Sequence, residues 1–163
     1  LLLAQIGLFY HLTTSYLYSI TPTRGISMLP TMPARGSWSL CSHLYRHGKN
    51  IKVGDVIVFD HPIIAGGRAA KRVIGLEGDF VCVITPGKQR EGEDEELSAT
   101  RTVVTHEMVQ VPKGHCWVEG DNLDWSRDSR VYGAVPLNLV RSKVVACVWP
   151  PGEWKGAENG LQD

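Results

Sequence analysis

At 163 residues, with 17 basic and 17 acidic side chains, the chain is long enough to bury a core and has no formal net charge. That balance excludes an electrostatically driven nucleic-acid binder, and 43% hydrophobic residues excludes a disordered tail.

The chain opens on Leu1, which reads as a processed form, a fragment or a trimmed form. No Asp, Glu, Lys or Arg occurs from Leu1 to Thr23, a run about as long as the ~20 residues a membrane span needs. Gln5, His11, Thr13, Thr14 and Ser15 interrupt it, whereas Tyr10, Tyr16 and Tyr18 suit a headgroup boundary. Two readings stay open from composition: a membrane anchor helix over 1–20, or an amphipathic or buried helix. A cleavable leader is disfavoured, because no basic segment precedes the run and no small-residue cut site follows it.

Thr21 to Gly25 reads as a turn, and Gly25-Ile-Ser27-Met28-Leu-Pro30-Thr31 as a serine in a tight, proline-bounded loop. Alternation predicts a strand within Ile51–Phe59, a turn at His61-Pro62 and Gly66-Gly67, and a second strand from Arg68 to Leu76. Further strands are expected at Asp79–Ile84, Val103–Val111, Cys116–Glu119 and Val144–Trp149. Residues 85–100 break the pattern with the acidic run Glu91–Glu96, a solvated surface loop. Pro150-Pro151-Gly152 ends the last strand, and 151–163 reads as a polar tail. Short strands with turn punctuation predict a mainly β domain over 21–150, a curled antiparallel or barrel-like sheet.

The four cysteines, Cys41, Cys82, Cys116 and Cys147, form no C-x-x-C pair and no zinc spacing, so buried reduced thiols are expected. His43 and His47 lie four apart with no accompanying ligand set, and no metal or other cofactor is expected.

Ser27 needs a partner to take its proton. None of the six histidines sits in a motif, and Leu29 occupies the last position of a would-be Gly-x-Ser-x-Gly. Lysine is the alternative base, but at its ordinary pKa of about 10.4 it is charged at neutral pH and must be desolvated to serve. Lys71 meets that demand in a strand: Ala69 and Val73 share its face, while Arg68 and Arg72 point to the other. The plain alternative is that Ser27 caps a turn and that Lys71 and Arg72 are solvated edge-strand charges. A third segment, Gly120-Asp121-Asn122-Leu-Asp124-Trp-Ser126-Arg-Asp128-Ser129-Arg130, is a polar loop of the kind that supports catalysis. In it Asp128 and Arg130 can pair, and Ser126 can bond a lysine amine.

These segments closely resemble the signal peptidase I family of Ser-Lys peptidases. Ser-Met-x-Pro-Thr from Ser27 matches its nucleophile box, and Val53-Gly-Asp55-Val-Ile-Val-Phe the strand box. Lys71-Arg72-Val-Ile-Gly75-x-x-Gly78-Asp79 matches the lysine box, and Gly120 to Arg130 the last. Glu77 in the lysine box, Trp117-Val-Glu-Gly-Asp-Asn-Leu and the compact size make it most similar to the mitochondrial inner membrane proteases of subunit 1 type. The resemblance implies a membrane-anchored endopeptidase that removes N-terminal sorting sequences from precursor proteins. It further implies an inner-membrane location with the catalytic domain in the intermembrane space, a paralogous partner subunit, and no nucleic-acid partner.

It also implies roles. Ser27 is the nucleophile and its backbone N–H an oxyanion donor. Lys71 is the base and Ser126 orients it. Asp128 and Arg130 brace the site, with Asp121 and Asn122 supporting. Gly25 stands where some bacterial members have a second oxyanion donor, and Arg141-Ser-Lys143 replaces a usual glycine, which reads as a packing variation. Other outcomes are a bacterial-type or other organellar signal peptidase, a non-catalytic subunit, or a self-cleaving repressor-type protein. The last would need a cut upstream of the serine, but the only Ala-Gly, Ala65-Gly66, lies downstream.

Overall fold

The computed structural model describes residues 1–85, 105–149 and 155–156. Helix α1 runs Leu2–Leu12 and continues as a π-helical turn, Thr13–Leu17. At about 1.5 Å per residue this stretch rises roughly 24 Å, short of a ~30 Å hydrocarbon core. No described helix is long and apolar enough to cross a membrane. The helix expected over 1–20 thus ends early, because Tyr18–Thr23 forms strand β1 instead. No residue of α1 is buried, so Leu2, Leu3, Ile6, Leu8 and Phe9 all project away from the domain.

The remaining strands are β2 Ser37–Ser42, β3 Val56–Asp60, β4 Arg68–Gly75, β5 Phe80–Thr85 and β6 Thr105–Gln110. They continue with β7 His115–Glu119, β8 Val135–Pro136, β9 Val140–Trp149 and β10 Lys155–Gly156. The main sheet is antiparallel throughout, in the order β1-β2-β9-β3-β4-β7-β8, with β10 also on β9. β5 and β6 form a separate hairpin sheet.

β1 and β2 lie where sequence reading placed a helix end, a turn and nothing further. Both invert the usual polarity. In β2 Ser37, Ser39 and Cys41 are buried and Trp38 is exposed. In β1 Tyr18, Ile20 and Pro22 face outward, and Thr23 Oγ1 meets Ser37 Oγ at 2.6 Å across the pair. Pro22 is tolerated because β1 is an edge strand.

Three apolar clusters hold the domain. Ile57, Phe59, Val73, Cys116, Val118, Val135 and Val140 form the main core beneath β3, β4 and β7. Val81, Val83, Val111 and Trp117 join the hairpin sheet to it. In the third cluster Met28 and Met32 sit with Cys41, Val56 and Val144, both methionines only 4% exposed. Burying a methionine is worth about 1.5–3 kcal/mol, so these two pin the loop around Ser27 onto the sheet.

No disulfide joins the four cysteines, but Cys82 is exposed rather than buried, because only the other face of β5 is covered. His43 and His47 each place Nδ1 near a backbone carbonyl, of Arg141 and Asn138. Arg141 bonds Asp60, Ser142 is buried, and Lys143 pairs with Asp55 at 2.7 Å over the Tyr45 ring. The acidic run Glu91–Glu96 and the tail beyond Gly156 lie outside the described residues.

Candidate active site

Ser27 sits in the loop between β1 and β2, closed by Gly25 N–H donating to Ala34 C=O at 2.9 Å and Met32 N–H to Met28 C=O at 2.8 Å. Gly25 has φ +119°, a backbone that strains any residue with a Cβ. A serine there would be strained, which gives a physical reason for the missing second donor. Among the described residues the Ser27 N–H has no acceptor, leaving it open to a substrate carbonyl.

Lys71 lies in β4, which is an inner strand. β3 pairs it along Arg68–Arg72 and β7 along Arg72–Gly75. Lys71 Nζ lies 2.6 Å from Ser27 Oγ, and the residue is only 4% exposed. Burial pushes its amine below the ordinary lysine value; Asp128 and Asp121 oppose that, while Arg130 reinforces it. The solvated-edge reading of Lys71 is therefore overturned, and a neutral amine beside a hydroxyl can accept its proton.

Arg72 is also buried, at 8% exposure, and its role was not legible in the sequence. Its Nε and Nη2 donate to the two oxygens of Asp121 at 2.8 and 2.7 Å, and Nη1 donates to the Gly54 carbonyl at 2.7 Å. Thr31 Oγ1 donates to the same Asp121 carboxylate. One ion pair thus ties the serine loop, the lysine strand and the loop after β7 together. Burial by itself would raise the Asp121 carboxyl, but the Arg72 and Thr31 hydrogen bonds hold it below the usual range. Asn122 adds a second tie: its N–H donates to Ser27 C=O and its Nδ2 to Ile26 C=O, each at 3.0 Å.

Asp128 is fully buried. It accepts from Gly120 N–H at 3.0 Å and from Arg130 Nε and Nη2, each at 2.9 Å. It also caps the short helix Ser129–Tyr132 by accepting from Arg130 N–H. Arg130 reaches the Leu123 carbonyl at 2.7 Å. Burial pushes the Asp128 carboxyl up, and these donors more than offset it, leaving it below the usual carboxylate range. The expected Asp128–Arg130 pair is therefore formed.

Ser126 is placed differently from expectation. Its Oγ is buried beside Asp128 and has no hydrogen bond of ordinary geometry, to Lys71 or to any other described group. Gly120 explains how the hydroxyl fits so close: a Cβ on Gly120 would collide with both Ser126 Oγ and the Ser27 carbonyl. Gly120→Ala is accordingly expected to push the two loops apart. Turnover at Ser27 should fall at least 100-fold, a large cost for a roughly 1 Å misplacement, measured as kcat/KM alongside a thermal melt.

A groove of about 160 Å³ opens at Ser27, walled by Thr23, Arg24 and Gly25 on one side and Arg68, Ala69, Ala70 and Lys71 on the other. Met28, Met32 and Pro33 line its remainder. The β4 edge over Arg68–Lys71 has no partner strand on this side among the described residues, since β7 begins pairing at Arg72.

The signal peptidase, peptidase S26, family model matches residues 1–149. The chain is 39% identical to mitochondrial inner membrane protease subunit 1 of Xenopus tropicalis, over 98% of this chain and 88% of that protein. It is 34% identical to the subunit 1 protein of Schizosaccharomyces pombe, over 92% and 85%. With mouse mitochondrial inner membrane protease subunit 2 it shares 33% identity, over 87% and 73%. With its serine, lysine and polar-loop segments gathered at one groove, and the match spanning nearly all of the described fold, the chain belongs to the signal peptidase, peptidase S26, family.

Proposed function

We propose that this chain is a serine endopeptidase of the mitochondrial inner membrane that removes N-terminal sorting sequences from precursor proteins. The names of its relatives supply the compartment, and the contact between Lys71 Nζ and Ser27 Oγ carries the chemistry. Lys71 takes the hydroxyl proton as Ser27 Oγ attacks the scissile carbonyl, with the Ser27 N–H facing the developing oxyanion. The proton passes to the leaving amine, and the precursor's N-terminal segment stays as an ester on Ser27. Water then attacks that ester, giving its proton to Lys71, which returns it to Ser27 Oγ as the ester bond breaks and the segment leaves with a free carboxylate.

Ser126 is assigned to orient the amine by a turn of its hydroxyl, which lies buried beside Asp128 without a bond to Lys71, while Asp128 and Arg130 brace the loop carrying it. An extended substrate joins the open β4 edge by main-chain pairing, as other peptides add to exposed edges. The small groove suits small side chains next to the cut. The catalytic domain faces the intermembrane space, held at the membrane by the N-terminal apolar segment, and works beside a paralogous subunit. The similarity to a subunit 2 as well as to subunit 1 proteins supports that pairing.

Titration with a serine-acylating inhibitor, followed by mass analysis of the modified peptide, tests the chemistry without knowledge of a natural precursor. One adduct on Ser27 is expected, absent from Ser27→Ala and strongly slowed in Lys71→Met. An adduct elsewhere, or undiminished labelling of Lys71→Met, contradicts the proposal.

A further inference from the structure

The segment that follows β2 is basic and lacks counter-charge. Over 43–54 the sequence carries Arg46, Lys49 and Lys52 and no acidic residue. Lys49 and Lys52 are exposed and Arg46 is half-buried. Among the described residues none of the three forms an ion pair, and Arg46 Nε is shut from water without a hydrogen-bond partner. Asp55, the first carboxylate to follow, is held by Lys143 at 2.7 Å, and Asp60 by Arg141. Burial, and to a smaller extent the charges of Arg46 and Arg68, hold the His43 imidazole below its usual value against the raising bond to the Arg141 carbonyl. His43 therefore adds little to the positive charge, which the arginine and the lysines supply.

The turn His43–Gly48 is held firmly on the domain. His47 Nδ1 lies 3.3 Å from the Asn138 carbonyl, and a Cβ on Gly48 would collide with Leu137. The same turn packs against Thr13–Leu17, where the apolar helix ends. Pairing of Tyr18 with Ser42 enforces that neighbourhood, because both segments leave the same end of the β1–β2 ladder. Tyr16, Leu17, Tyr18 and Leu44 are all exposed there.

We infer that segment 43–52 is a binding site for the phosphate headgroups of anionic phospholipids, with Arg46, Lys49 and Lys52 as its cations. The inference rests on the proposal that the N-terminal apolar segment holds the chain at a membrane. A helix embedded in lipid ends at headgroup depth whatever its tilt, and a turn packed on that end lies at the same depth. Tyrosines suit that boundary, and long basic side chains reach phosphates from it. A guanidinium without a counter-ion has no partner to give up when it takes a phosphate. The bilayer is the source because Leu44, 53% exposed two residues before Arg46, offers an apolar contact that a soluble phosphate cannot use.

The test reconstitutes the full chain into phosphatidylcholine bilayers with about three-tenths phosphatidylglycerol, an anionic surface. The protein is then extracted in mild detergent, and the lipids still bound are quantified by mass spectrometry. Phosphatidylglycerol should be enriched over its share of the bilayer, and less so at high salt. Arg46→Gln and Lys49→Gln should each lower the enrichment by about fivefold, the effect of one basic side chain at such a surface. Arg35→Gln, in the loop at the opposite end of the β1–β2 pair, should leave it unchanged. A photocrosslinking amino acid in place of Leu44 should capture lipid. A thermal melt accompanies each variant, and the exposed Lys49 carries the test alone if the Arg46 variant fails to fold. No enrichment, an equal loss in the Arg35 variant, or displacement of the lipid by soluble glycerol phosphate at matched phosphate overturns the inference. Crosslinks from position 44 to the acidic run Glu91–Glu96 in place of lipid also overturn it. A chain that alkaline carbonate washes off the bilayer overturns the membrane reading and this one with it. A chain that stays embedded with no preference for phosphatidylglycerol overturns this one alone.

Discussion

Lys71→Met is expected to lose peptidase activity by on the order of 10³-fold or more while making the protein more stable. The loss follows from removing the only group within hydrogen-bond distance of Ser27 Oγ among the described residues, and general bases contribute about 10²–10⁴-fold. The gain in stability has the opposite origin. The amine is buried and its folded value is depressed, so the unfolded chain binds the proton more readily than the folded one. Stability therefore rises with pH between the depressed value and the ordinary lysine value, and below the depressed value the full cost is present. Methionine has a similar shape and no charge to desolvate, and replacing such a group should stabilise by about 1 kcal/mol. Thermal melts of both proteins at neutral pH check this, and a fall in Tm contradicts it. In the wild type the rate should decline on the acid side, as the amine takes up its proton, and hold toward alkaline pH.

Asp128→Ala is expected to cost about 3–5 kcal/mol, a large part of the roughly 5–15 kcal/mol that holds a domain folded. The side chain is fully buried and accepts from both Gly120 and Arg130, so its removal strands a guanidinium and a backbone N–H at once. Urea unfolding should show the midpoint shifting to much lower denaturant. The wild type should share part of this vulnerability in acid. The Asp121 and Asp128 carboxyls are both held below the usual range in the folded state. The stability they contribute is complete above the ordinary carboxylate value and is lost as pH falls through their depressed values. A denaturant series between about pH 5 and pH 2 should show that loss, and it should be smaller in an Asp121→Asn variant.

Much of the site was legible because the residues that gather there lie in short, dense segments. Gly120 to Arg130 announced a structured polar loop, and the apolar neighbours of Lys71 announced a desolvated amine. Arg72 was not legible, because its partner Asp121 is 49 positions away and no local pattern distinguishes a buried arginine from a solvated one. β3 and β4 were readable from alternation. β1 and β2 were not, since their inward faces carry Ser and Thr while Tyr18, Ile20 and Trp38 point out. Periodicity detects which residues alternate, but it assigns the apolar set to the core, and here the small polar set packs inward. Cys82 failed for a related reason: an apolar run was read as covered on both faces, and β5 is covered on one.

The open stretch of β4 from Arg68 to Lys71 bears on how such a protein can share a compartment with others without degrading them. Its lysine and serine already touch, at 2.6 Å, so bringing those two groups together takes no rearrangement. Protection of bystanders then falls to backbone availability. A native protein has spent most of its amide and carbonyl groups on its own sheets and helices, and its edge strands are commonly short, charged or covered, so it seldom offers a bare strand to fill the gap. On the proposed strand-addition reading, a segment that has not yet folded, or never does, meets that condition most readily, and the timing of folding in the substrate then guards against indiscriminate cutting.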